Sequence, residues 1–495
     1  MKLKVLFKDI PSVLIKGSKD TEITGLCSNS KYVAPGNLFI AKKGASDDGH
    51  KHITEAISGG AVAVLTDLYN PFIGKIPQII HSDVASIEGK LASTYYHDPS
   101  LQLLTIGITG TNGKTTCSFL VKHLLDSINM PCGLIGTIEY IVGETSYKAS
   151  LTTPDVITNH RLLREMLSHN CRAVVMEVSS HALEQKRVDQ IHFDCALFTN
   201  LTLDHLDYHE TMEKYGEAKA KLFSQIGLGA VKKSISFSKV AVINQDSDWA
   251  ERMYKKCSVP ILTYGFSPNS SIRATDIKLG LDKTTFLVRY KDEEKLFSWG
   301  LTGRFNILNC LAVTSLGLSL GLSLKQIAEI MSTARPVQGR LEKVPSLQGL
   351  NIYVDFAHTD DALENVLSCL NDLKKGRIIT VFGCGGNRDR SKRPKMAKVA
   401  ETYSDVIIVT SDNPRDEEPA SIIREIIEGF SNKDCFMIEE DRRKAIEKAI
   451  QMAFPDDIVL IAGKGHETHQ IVCHKTMEFD DREVAREMIQ KRESG

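Results

Sequence analysis

The chain has 495 residues, more than the roughly 100–200 residues of a typical single domain, which predicts a multidomain protein. Its 61 lysines and arginines nearly balance 62 aspartates and glutamates, giving a formal charge of −1. This balance argues against a protein whose main partner is nucleic acid. Hydrophobic residues at 42% and charged residues at 25% are typical of a folded chain with ample core and exclude extended disorder.

Three features bear on the compartment. The N-terminal segment carries charges inside its apolar stretch and so lacks the core of a signal peptide. The longest uncharged run, residues 305–324, contains asparagine, serine and threonine, and we interpret it as a buried helix that breaks near Gly321. The 11 irregularly spaced cysteines favour reduced thiols over disulfides or zinc. We therefore expect a cytoplasmic protein that binds neither membranes nor nucleic acid.

Changes of pattern along the chain predict three α/β units. Residues 1–98 alternate short β-like runs with a helix-like segment near residues 52–58, which indicates a small N-terminal α/β domain. Residues 99–335 alternate apolar runs, such as that at 132–142, with helical periodicity, which predicts a mainly parallel sheet covered by helices. Residues 336–495 follow a proline- and glycine-containing break and indicate a Rossmann-like domain.

Four apolar runs of the C-terminal unit each end in Gly, Asp, Asn or His. They lie at residues 350–356, 376–383, 405–412 and 457–463. Ligands of open α/β sheets bind beyond the carboxyl ends of the strands. We therefore expect these four ends to line one site.

A glycine-rich segment, GTNGKTT at residues 110–116, lies between a strand-like run and a helical segment. Ile108 stands where the strict P-loop has glycine, so the loop is a variant. Its small residues allow backbone N–H groups to face phosphates at a helix N-terminus. Lys114 would supply positive charge and Thr115 a Mg²⁺ ligand. The alternative is an ordinary glycine-rich turn, but the flanking strand and helix favour a P-loop-type ATPase domain.

Acidic and histidine residues follow two later strand-like runs. Glu177 ends one run, where P-loop enzymes place a carboxylate that orients Mg²⁺. Two aspartates and two histidines crowd into residues 204–209. Each of these alone fits a cap or a loop hydrogen bond, and no second His/Cys group supports zinc. The preferred interpretation is a single magnesium ion held by Glu177, Thr115 and part of residues 204–209. The residues therefore indicate an Mg²⁺-nucleotide enzyme.

The motifs taken together resemble those of the Mur ligases, over nearly the whole chain. They are TGTNGKTT (109–116), EVSSHAL (177–183), NLTLDHLDYH (200–209), YGEAKAKLF (215–223), GRFNILN (303–309), GRLE (339–342), DFAHT (355–359), GCGGNRD (383–389), DNPR (412–415) and GKGHE (463–467). The resemblance implies an ATP-dependent amide ligase of peptidoglycan precursor synthesis. ATP would phosphorylate the γ-carboxylate of D-Glu in UDP-MurNAc-L-Ala-D-Glu, and an amine would then attack the acyl phosphate.

The resemblance also implies the catalytic and ATP-binding residues. Lys219 matches a lysine that the family carbamylates, although taken alone it has the pattern of a solvated helix lysine. The implied catalytic residues are Lys114, Glu177, His205 and Lys219. The implied Mg²⁺ ligands are Thr115, Glu177, His205 and Lys219 as its carbamate. The implied ATP contacts are Gly110, Thr111, Asn112, Gly113, Lys114, Thr115, Thr116, Asn306 and Arg340, with Asp355 and His358 nearby.

The uridine-nucleotide substrate would lie between the first two domains. The implied contacts are Ser30, Thr152, Thr153, Ser179, Gln185 and Arg187. The chain departs from the family at Asn29-Ser30-Lys31, where D-S-R is usual, and at Asp360, where the A-H-T motif usually continues with proline. Structural alternatives are a helix start at residues 152–155 and a surface cation at Arg187.

The sequence DNPR indicates which amino acid is added. In the family it marks enzymes that add meso-2,6-diaminopimelate, whose second carboxylate a guanidinium can bind bidentately. The implied amino-acid site comprises Arg388, Asp412, Asn413, Pro414, Arg415, Gly463 and Glu467. Arg415 would engage the distal carboxylate, and Glu467 with the Gly463 backbone would receive the amino group.

The sequence leaves four other functions open. They are the same ligation with L-lysine, a folylpolyglutamate synthetase-like ligase, a nucleotide-gated switch and an inactive binding module. The expected partners are UDP-MurNAc-dipeptide, ATP and meso-diaminopimelate, with Mg²⁺ as cofactor, and we expect a monomer.

Overall fold

The computed structural model describes residues 1–44, 48–230, 232, 235, 237–473 and 475–494. Three large sheets follow one another along the chain, each packed between helices, and a two-stranded hairpin lies near the C-terminus. The predicted α/β fold with three units is confirmed. All 11 cysteines are free thiols, and of these only Cys473 is exposed.

A small sheet with three helices forms the N-terminal part. Its elements are α1 (Leu3–Leu6), β1 (Leu14–Lys16), β2 (Gly25–Cys27), β3 (Asn37–Ile40), α2 (Ile53–Ser58), β4 (Ala63–Thr66), β5 (Gln78–Ile80) and α3 (Val84–Tyr95). The strand order is β1-β5-β4-β3-β2, with β1 antiparallel to β5 and the other neighbours parallel. The predicted helix near residues 52–58 is confirmed by α2.

The first half of the central part carries the P-loop. Its elements are β6 (Leu104–Thr109), α4 (Lys114–Ser127), β7 (Cys132–Ile135), β8 (Glu139–Val142), β9 (Thr145–Lys148), α5 (Val156–Ser168), β10 (Ala173–Glu177), α6 (Ser180–Glu184), β11 (Cys195–Phe198), α7 (Leu206–His209) and α8 (Met212–Leu228). β6 is buried along its length between β10 and β11, and both pairings are parallel. The loop after β6 therefore lies at the middle of a sheet edge.

The second half of the central part extends the same sheet. Its elements are β12 (Val240–Asn244), α9 (Ala250–Lys256), β13 (Ile261–Gly265), β14 (Ile272–Lys278), β15 (Thr284–Tyr290), β16 (Glu293–Trp299), α10 (Arg304–Ser319) and α11 (Leu324–Ser332). The 11 strands have the order β16-β15-β14-β13-β12-β11-β6-β10-β7-β8-β9. Pairing is parallel from β14 to β7 and antiparallel at both edges, which confirms the prediction of a mainly parallel sheet.

The apolar run at residues 132–142, taken as one strand, forms the two strands β7 and β8 instead, so the prediction of a single strand is wrong. The chain turns at Gly136, whose N–H donates to Glu139 O over 3.2 Å, so that β7 and β8 pair antiparallel. A Cβ at Gly136 would come within 2.5 Å of Glu177 Oε1. The turn therefore follows from a close approach to a carboxylate on another strand.

The long uncharged run is a buried helix, as predicted. α10 ends at Ser319, Gly321 has a φ of +86°, and Ser323 caps the start of α11. In the part of the chain that the structure describes, none of the helices combines the length and apolarity that a bilayer crossing requires.

The C-terminal part is a second parallel α/β unit. Its elements are β17 (Glu342–Val344), β18 (Asn351–Asp355), α12 (Asp360–Asn371), β19 (Ile378–Phe382), α13 (Lys392–Tyr403), β20 (Val406–Val409), α14 (Pro419–Ile427), β21 (Phe436–Ile438), α15 (Arg442–Met452), β22 (Ile458–Ala462), β23 (His469–Val472), β24 (Lys475–Glu478) and α16 (Asp481–Ser494). The six-stranded sheet has the order β17-β18-β22-β19-β20-β21. The four predicted strands, β18, β22, β19 and β20, are adjacent and parallel, so their carboxyl ends share one edge.

A buried ion pair fixes two of these strand ends. Arg442 binds Asp481 bidentately, with Nε–Oδ1 and Nη2–Oδ2 distances of 2.8 and 2.7 Å, and neither side chain is exposed. The guanidinium also donates to Ala462 O over 2.9 Å and to Ser411 O over 3.3 Å. Ala462 and Ser411 immediately precede the loops that begin at Gly463 and Asp412, so the pair holds both loops.

Replacing Asp481 with Asn is expected to destabilise the protein by about 3–5 kcal/mol, because a buried guanidinium loses its anion. Urea unfolding measures this loss. The control is Glu487→Gln, which removes an exposed pair with Arg443 and is expected to change the free energy of unfolding by less than about 1 kcal/mol. Equal effects of the two substitutions would contradict the prediction.

Candidate active site

Two glycines shape the loop after β6. Gly110 has a φ of +149° and Gly113 a φ of +86°, and a Cβ at Gly110 would lie 1.8 Å from Thr199 Oγ1. Only glycine fits these positions without strain. α4 begins at Lys114 without a side-chain cap, which leaves the first backbone N–H groups of the helix available to an anion.

Two lysines converge on the carbonyl oxygen of Gly110. Lys114 Nζ donates to it over 2.9 Å and also to Thr111 O over 2.8 Å, and Lys219 Nζ donates to it over 2.8 Å. Lys219 is 1% exposed, so its interpretation as a solvated helix lysine is wrong. Burial, followed by the nearby charge of Lys114, lowers the pKa of Lys219 well below the ordinary lysine value. The site therefore favours a neutral amine at Lys219.

Glu177 lies beside the start of α4 in a cage of neutral donors. Its carboxylate accepts hydrogen bonds from Thr115 Oγ1 (3.0 Å), Thr137 N (3.0 Å) and Thr137 Oγ1 (2.8 Å). The side chain is fully buried, and no lysine or arginine of the described ranges forms an ion pair with it. A buried carboxylate held only by neutral donors is suited to a hard cation.

His205 precedes α7 in a left-handed conformation with a φ of +54°. Its side chain is half exposed, Nε2 lies 3.5 Å from Asp204 Oδ2, and its ring packs edge-on against His181. Partial burial of the ring, with the nearby charges of Lys114 and Lys219, lowers the pKa of His205 to about 4, which favours a neutral imidazole able to ligate a metal. No three His, Cys, Asp or Glu side chains of the described ranges converge as a metal site.

A cavity of about 290 Å³ separates the P-loop from the C-terminal unit. Its lining includes predicted ATP contacts and residues expected near them, namely Asn112, Gly113, Thr116, Asn306, Arg340, Asp355 and His358. Arg340 crosses to the central unit, where Nη2 donates to Thr115 Oγ1 over 3.2 Å, and its guanidinium lies over the Phe356 ring. Arg340 Nε is buried and has no hydrogen-bond partner among the described residues. This arginine thus offers an unused donor beside the P-loop.

Asp361 also links the two units, and the sequence analysis missed it. Its Oδ2 accepts from Asn112 Nδ2 over 2.7 Å and from Thr202 Oγ1 over 2.9 Å. Burial raises the pKa of this carboxyl. The available signal was its position in the first turn of α12, directly after the DFAHT motif and the departure at Asp360.

Five of the six predicted contacts for the uridine nucleotide cluster beside Glu177. Thr153 Oγ1 donates to Glu177 O over 2.8 Å and accepts a hydrogen bond from Ser179 N over 3.1 Å. Arg187 donates to Thr153 O and to Gln185 Oε1. Thr152 reaches the same place through a 3.1 Å contact with Thr137 Oγ1.

Ser30 lies in the N-terminal unit and does not join this cluster. Its hydroxyl donates to Glu55 over 2.6 Å, and Asn29 caps the short helical turn that contains it. The structural alternative for residues 152–155 is partly right, because Asp155 caps the start of α5 through Thr158 N.

The predicted amino-acid residues gather at the ends of β19, β20 and β22. Arg415 has a φ of +52° and donates to Gly386 O over 2.8 Å, with no carboxylate of the described ranges at ion-pair distance. Asn413 Nδ2 donates to Glu467 Oε2 over 2.7 Å. Arg388 is exposed and donates to Asn387 O over 3.1 Å.

Close backbone contacts complete this group. A Cβ at Gly463 would meet Asp412 Oδ2 at 2.5 Å, and a Cβ at Gly386 would meet Pro414 O at 1.9 Å. Lys464, which the sequence analysis did not single out, is fully buried beneath the group. Its position between two glycines of the GKGHE motif was the available signal.

Comparisons with known proteins identify the family. Residues 22–96 match the model "Mur ligase family, catalytic domain", 108–317 match "Mur ligase middle domain" and 339–465 match "Mur ligase, glutamate ligase domain". The chain is 44% identical over 493 residues to UDP-N-acetylmuramoyl-L-alanyl-D-glutamate--2,6-diaminopimelate ligase of Chlamydia pneumoniae, covering 99% of each chain. The chain belongs to the Mur ligase family.

Further relatives match this Mur ligase over nearly its whole length. The protein of the same name from Syntrophomonas wolfei is 41% identical over 491 residues, covering 99% of each chain. A solved structure of that name superposes with a TM-score of 0.69 at 30% identity, covering 100% of this chain and 99% of the other. The predicted family, fold and class of ATP-dependent ligase are thereby confirmed.

Lys219→Met is expected to raise the melting temperature at about pH 7, because it removes an amine whose protonation burial penalises. The penalty applies fully below the lowered pKa of Lys219 and disappears as the pH approaches the ordinary lysine pKa of about 10.4. Gly110 O keeps Lys114 as a donor.

Thermal unfolding in buffer free of carbon dioxide, near pH 7 and near pH 10, measures this difference. The control is Lys221→Met, an exposed lysine on the same helix, which is expected to leave the melting temperature unchanged. A lower melting temperature for Lys219→Met near pH 7 would contradict the prediction.

Proposed function

We propose that this Mur ligase adds meso-2,6-diaminopimelate to the γ-carboxylate of D-Glu in UDP-MurNAc-L-Ala-D-Glu, with ATP and Mg²⁺, in cytoplasmic peptidoglycan precursor synthesis. The observation that carries the proposal is the guanidinium of Arg415, which stands beside Asn413 and Glu467 without a carboxylate partner in the described ranges. The two full-length relatives named for diaminopimelate support it. We further propose a monomer with domains at residues 1–98, 99–335 and 336–495.

The reaction begins with phosphorylation of the acceptor carboxylate. A free carboxylate has no adequate leaving group, and transfer of the γ-phosphoryl group of ATP converts it into an acyl phosphate with release of ADP. Lys114, the N-terminus of α4 and Arg340 surround the position of the phosphates with positive charge. The ATP contacts would be residues 110–116 with Asn306 and Arg340 at the cavity wall.

Thr115, Glu177, His205 and a carbamate on Lys219 would hold Mg²⁺, which supplies positive charge to the phosphoryl oxygens. The neutral donors around Glu177 and the lowered pKa of Lys219 fit this role. A neutral amine adds carbon dioxide, forming an N–C bond and releasing one proton, and the product is an anion with oxygen ligands. The carbamate on Lys219 would thus add an anionic ligand to those supplied by Thr115, Glu177 and His205.

The uridine nucleotide and its peptide would bind between the first two domains. A connected polar set lies next to Glu177 and consists of Arg187, Gln185, Thr153, Thr152 and Ser179. A substrate bound there would have its acceptor carboxylate near the P-loop. Ser30 would contact the same substrate from the N-terminal domain.

The amino acid would bind at the strand ends of the third domain. Arg415 and Arg388 would bind the distal carboxylate, Asn413 would support it, and Glu467 with Gly463 would receive the amino group. The reacting amine attacks the acyl phosphate carbonyl, the tetrahedral intermediate expels phosphate, and an amide forms with loss of a proton. Asp412 and Pro414 shape the loop that carries these groups.

Phosphate release by the purified protein with ATP, Mg²⁺ and UDP-MurNAc-dipeptide is expected only when meso-diaminopimelate is present. L-Lysine is the matched acceptor control, because it lacks the second carboxylate and would leave Arg415 unpaired. Equal release with L-lysine would favour the lysine-adding alternative, and release without any amino acid would contradict the proposed ligase activity.

Arg415→Ala is expected to raise the KM for diaminopimelate by about 100-fold or more, because the proposed bidentate contact with the distal carboxylate would be lost. The KM for ATP is expected to stay within about twofold, since Arg415 contacts none of the P-loop residues. Steady-state phosphate release measures both constants. The control is Arg424→Ala, an exposed arginine on α14, and an unchanged diaminopimelate KM in Arg415→Ala would remove Arg415 from the site.

A further inference from the structure

Lys464 lies in the centre of the GKGHE loop, and the reaction described above does not use it. The side chain is 0% exposed, between Gly463 (φ +119°) and Gly465 (φ +53°), whose left-handed conformations turn the chain around it. A buried ammonium is strongly unfavourable unless each N–H finds an acceptor. Its Nζ donates to His469 O over 2.6 Å, to Asn413 Oδ1 over 3.2 Å and to Glu467 Oε2 over 3.2 Å. All three donors of the ammonium are thus engaged.

These contacts determine how the Asn413 amide is oriented. Asn413 Oδ1 accepts from Lys464 and from Ile471 N over 3.0 Å, so two donors hold the oxygen end. The amide nitrogen must then point to Glu467 Oε2, 2.7 Å away. A flipped amide would place its NH₂ group against the ammonium, which has no acceptor capacity.

The same contacts leave Glu467 with one free oxygen. Oε2 is occupied by Asn413 Nδ2 and Lys464 Nζ, whereas Oε1 has no hydrogen-bond partner within the described part of the chain. The Glu467 side chain is 26% exposed, so this free oxygen is accessible. A carboxylate held at one oxygen presents the other in a fixed direction, which suits a cationic donor.

We propose that Lys464 is a positioning residue for the incoming amino acid. Its ammonium orients Asn413 and holds Glu467 so that the free oxygen of Glu467 receives an amino group of a diamino dicarboxylic acid. This inference rests on the proposed function and adds to it the buried cation that organises the binding carboxylate.

A role confined to folding predicts a different result. Lys464 also holds the start of β23 through His469 O, and loss of that contact alone would lower stability and affect all three substrates alike. A positioning role predicts a selective change in the KM for the amino acid, with little change in kcat.

Lys464→Met, which keeps the length of the side chain and removes the ammonium, is expected to raise the KM for meso-diaminopimelate by about tenfold or more, as for loss of a charge-assisted hydrogen-bond network. The KM values for ATP and UDP-MurNAc-dipeptide and the kcat are expected to stay within about threefold. The control is Lys433→Met, because Lys433 of the same domain also donates to backbone carbonyls but lies away from this loop.

A double-mutant cycle with Glu467→Gln tests whether Lys464 acts through Glu467. The double variant is expected to raise the diaminopimelate KM no more than the larger single effect, whereas independent roles would give multiplied effects and overturn the inference. An active Lys464→Met enzyme with an unchanged diaminopimelate KM would also overturn it.

Two further outcomes are separable. If wild-type protein releases no phosphate in response to diaminopimelate, the proposed function fails rather than the role of Lys464. If Lys464→Met does not fold, Lys464→Arg is measured instead. Arginine keeps the charge but cannot place its donors at the three acceptors, so the diaminopimelate KM is again expected to rise, and an unchanged value would overturn the inference.

Discussion

The arrangement around the P-loop depends on how two lysine side chains share the carbonyl oxygen of Gly110. Lys114 comes from the first turn of the helix after the P-loop, and Lys219 comes from a helix more than a hundred positions later. Burial disfavours the charged form of Lys219, and repulsion from the nearby Lys114 adds to this penalty. Conversion of Lys219 into an anion would replace the repulsion from Lys114 with attraction, which gives the proposed carbamate a physical reason within the site.

The contacts between the central and C-terminal units extend this arrangement. Arg340 contacts Thr115 and Asp361 contacts Asn112, so two residues of the P-loop motif touch the C-terminal unit. Contacts of this kind couple the position of the C-terminal unit to the state of the P-loop. The carboxyl ends of β18 and β22 lie on that same unit, so the proposed amino-acid site and the proposed nucleotide site would share these interdomain contacts.

The sequence predicted the parts that depend on local pattern. The four strands of the C-terminal unit were evident because each is a short continuous apolar run that ends in turn residues, and α10 with its break at Gly321 followed from an uncharged run containing glycine. Contacts between distant segments were not predictable. The turn at Gly136 depends on Glu177, and the burial of Lys219 depends on which face of α8 meets the P-loop. Roles for Lys114, Thr115 and Glu177 followed from the P-loop pattern, and most other single-residue roles came from family resemblance. Asp361 and Lys464 emerged only from hydrogen bonds between loops.

The distribution of thiols has a practical consequence. Burial raises the pKa of cysteines such as Cys117, Cys195 and Cys384, which suppresses their thiolate form, whereas Cys473 stands exposed in the turn between β23 and β24. The backbone N–H of Cys473 donates to Arg415 O over 2.8 Å, and Arg415 is the last residue of the DNPR motif. A thiol-directed fluorophore or spin label would therefore attach there first, and the native chain already carries a reporter position at the edge of the proposed amino-acid site.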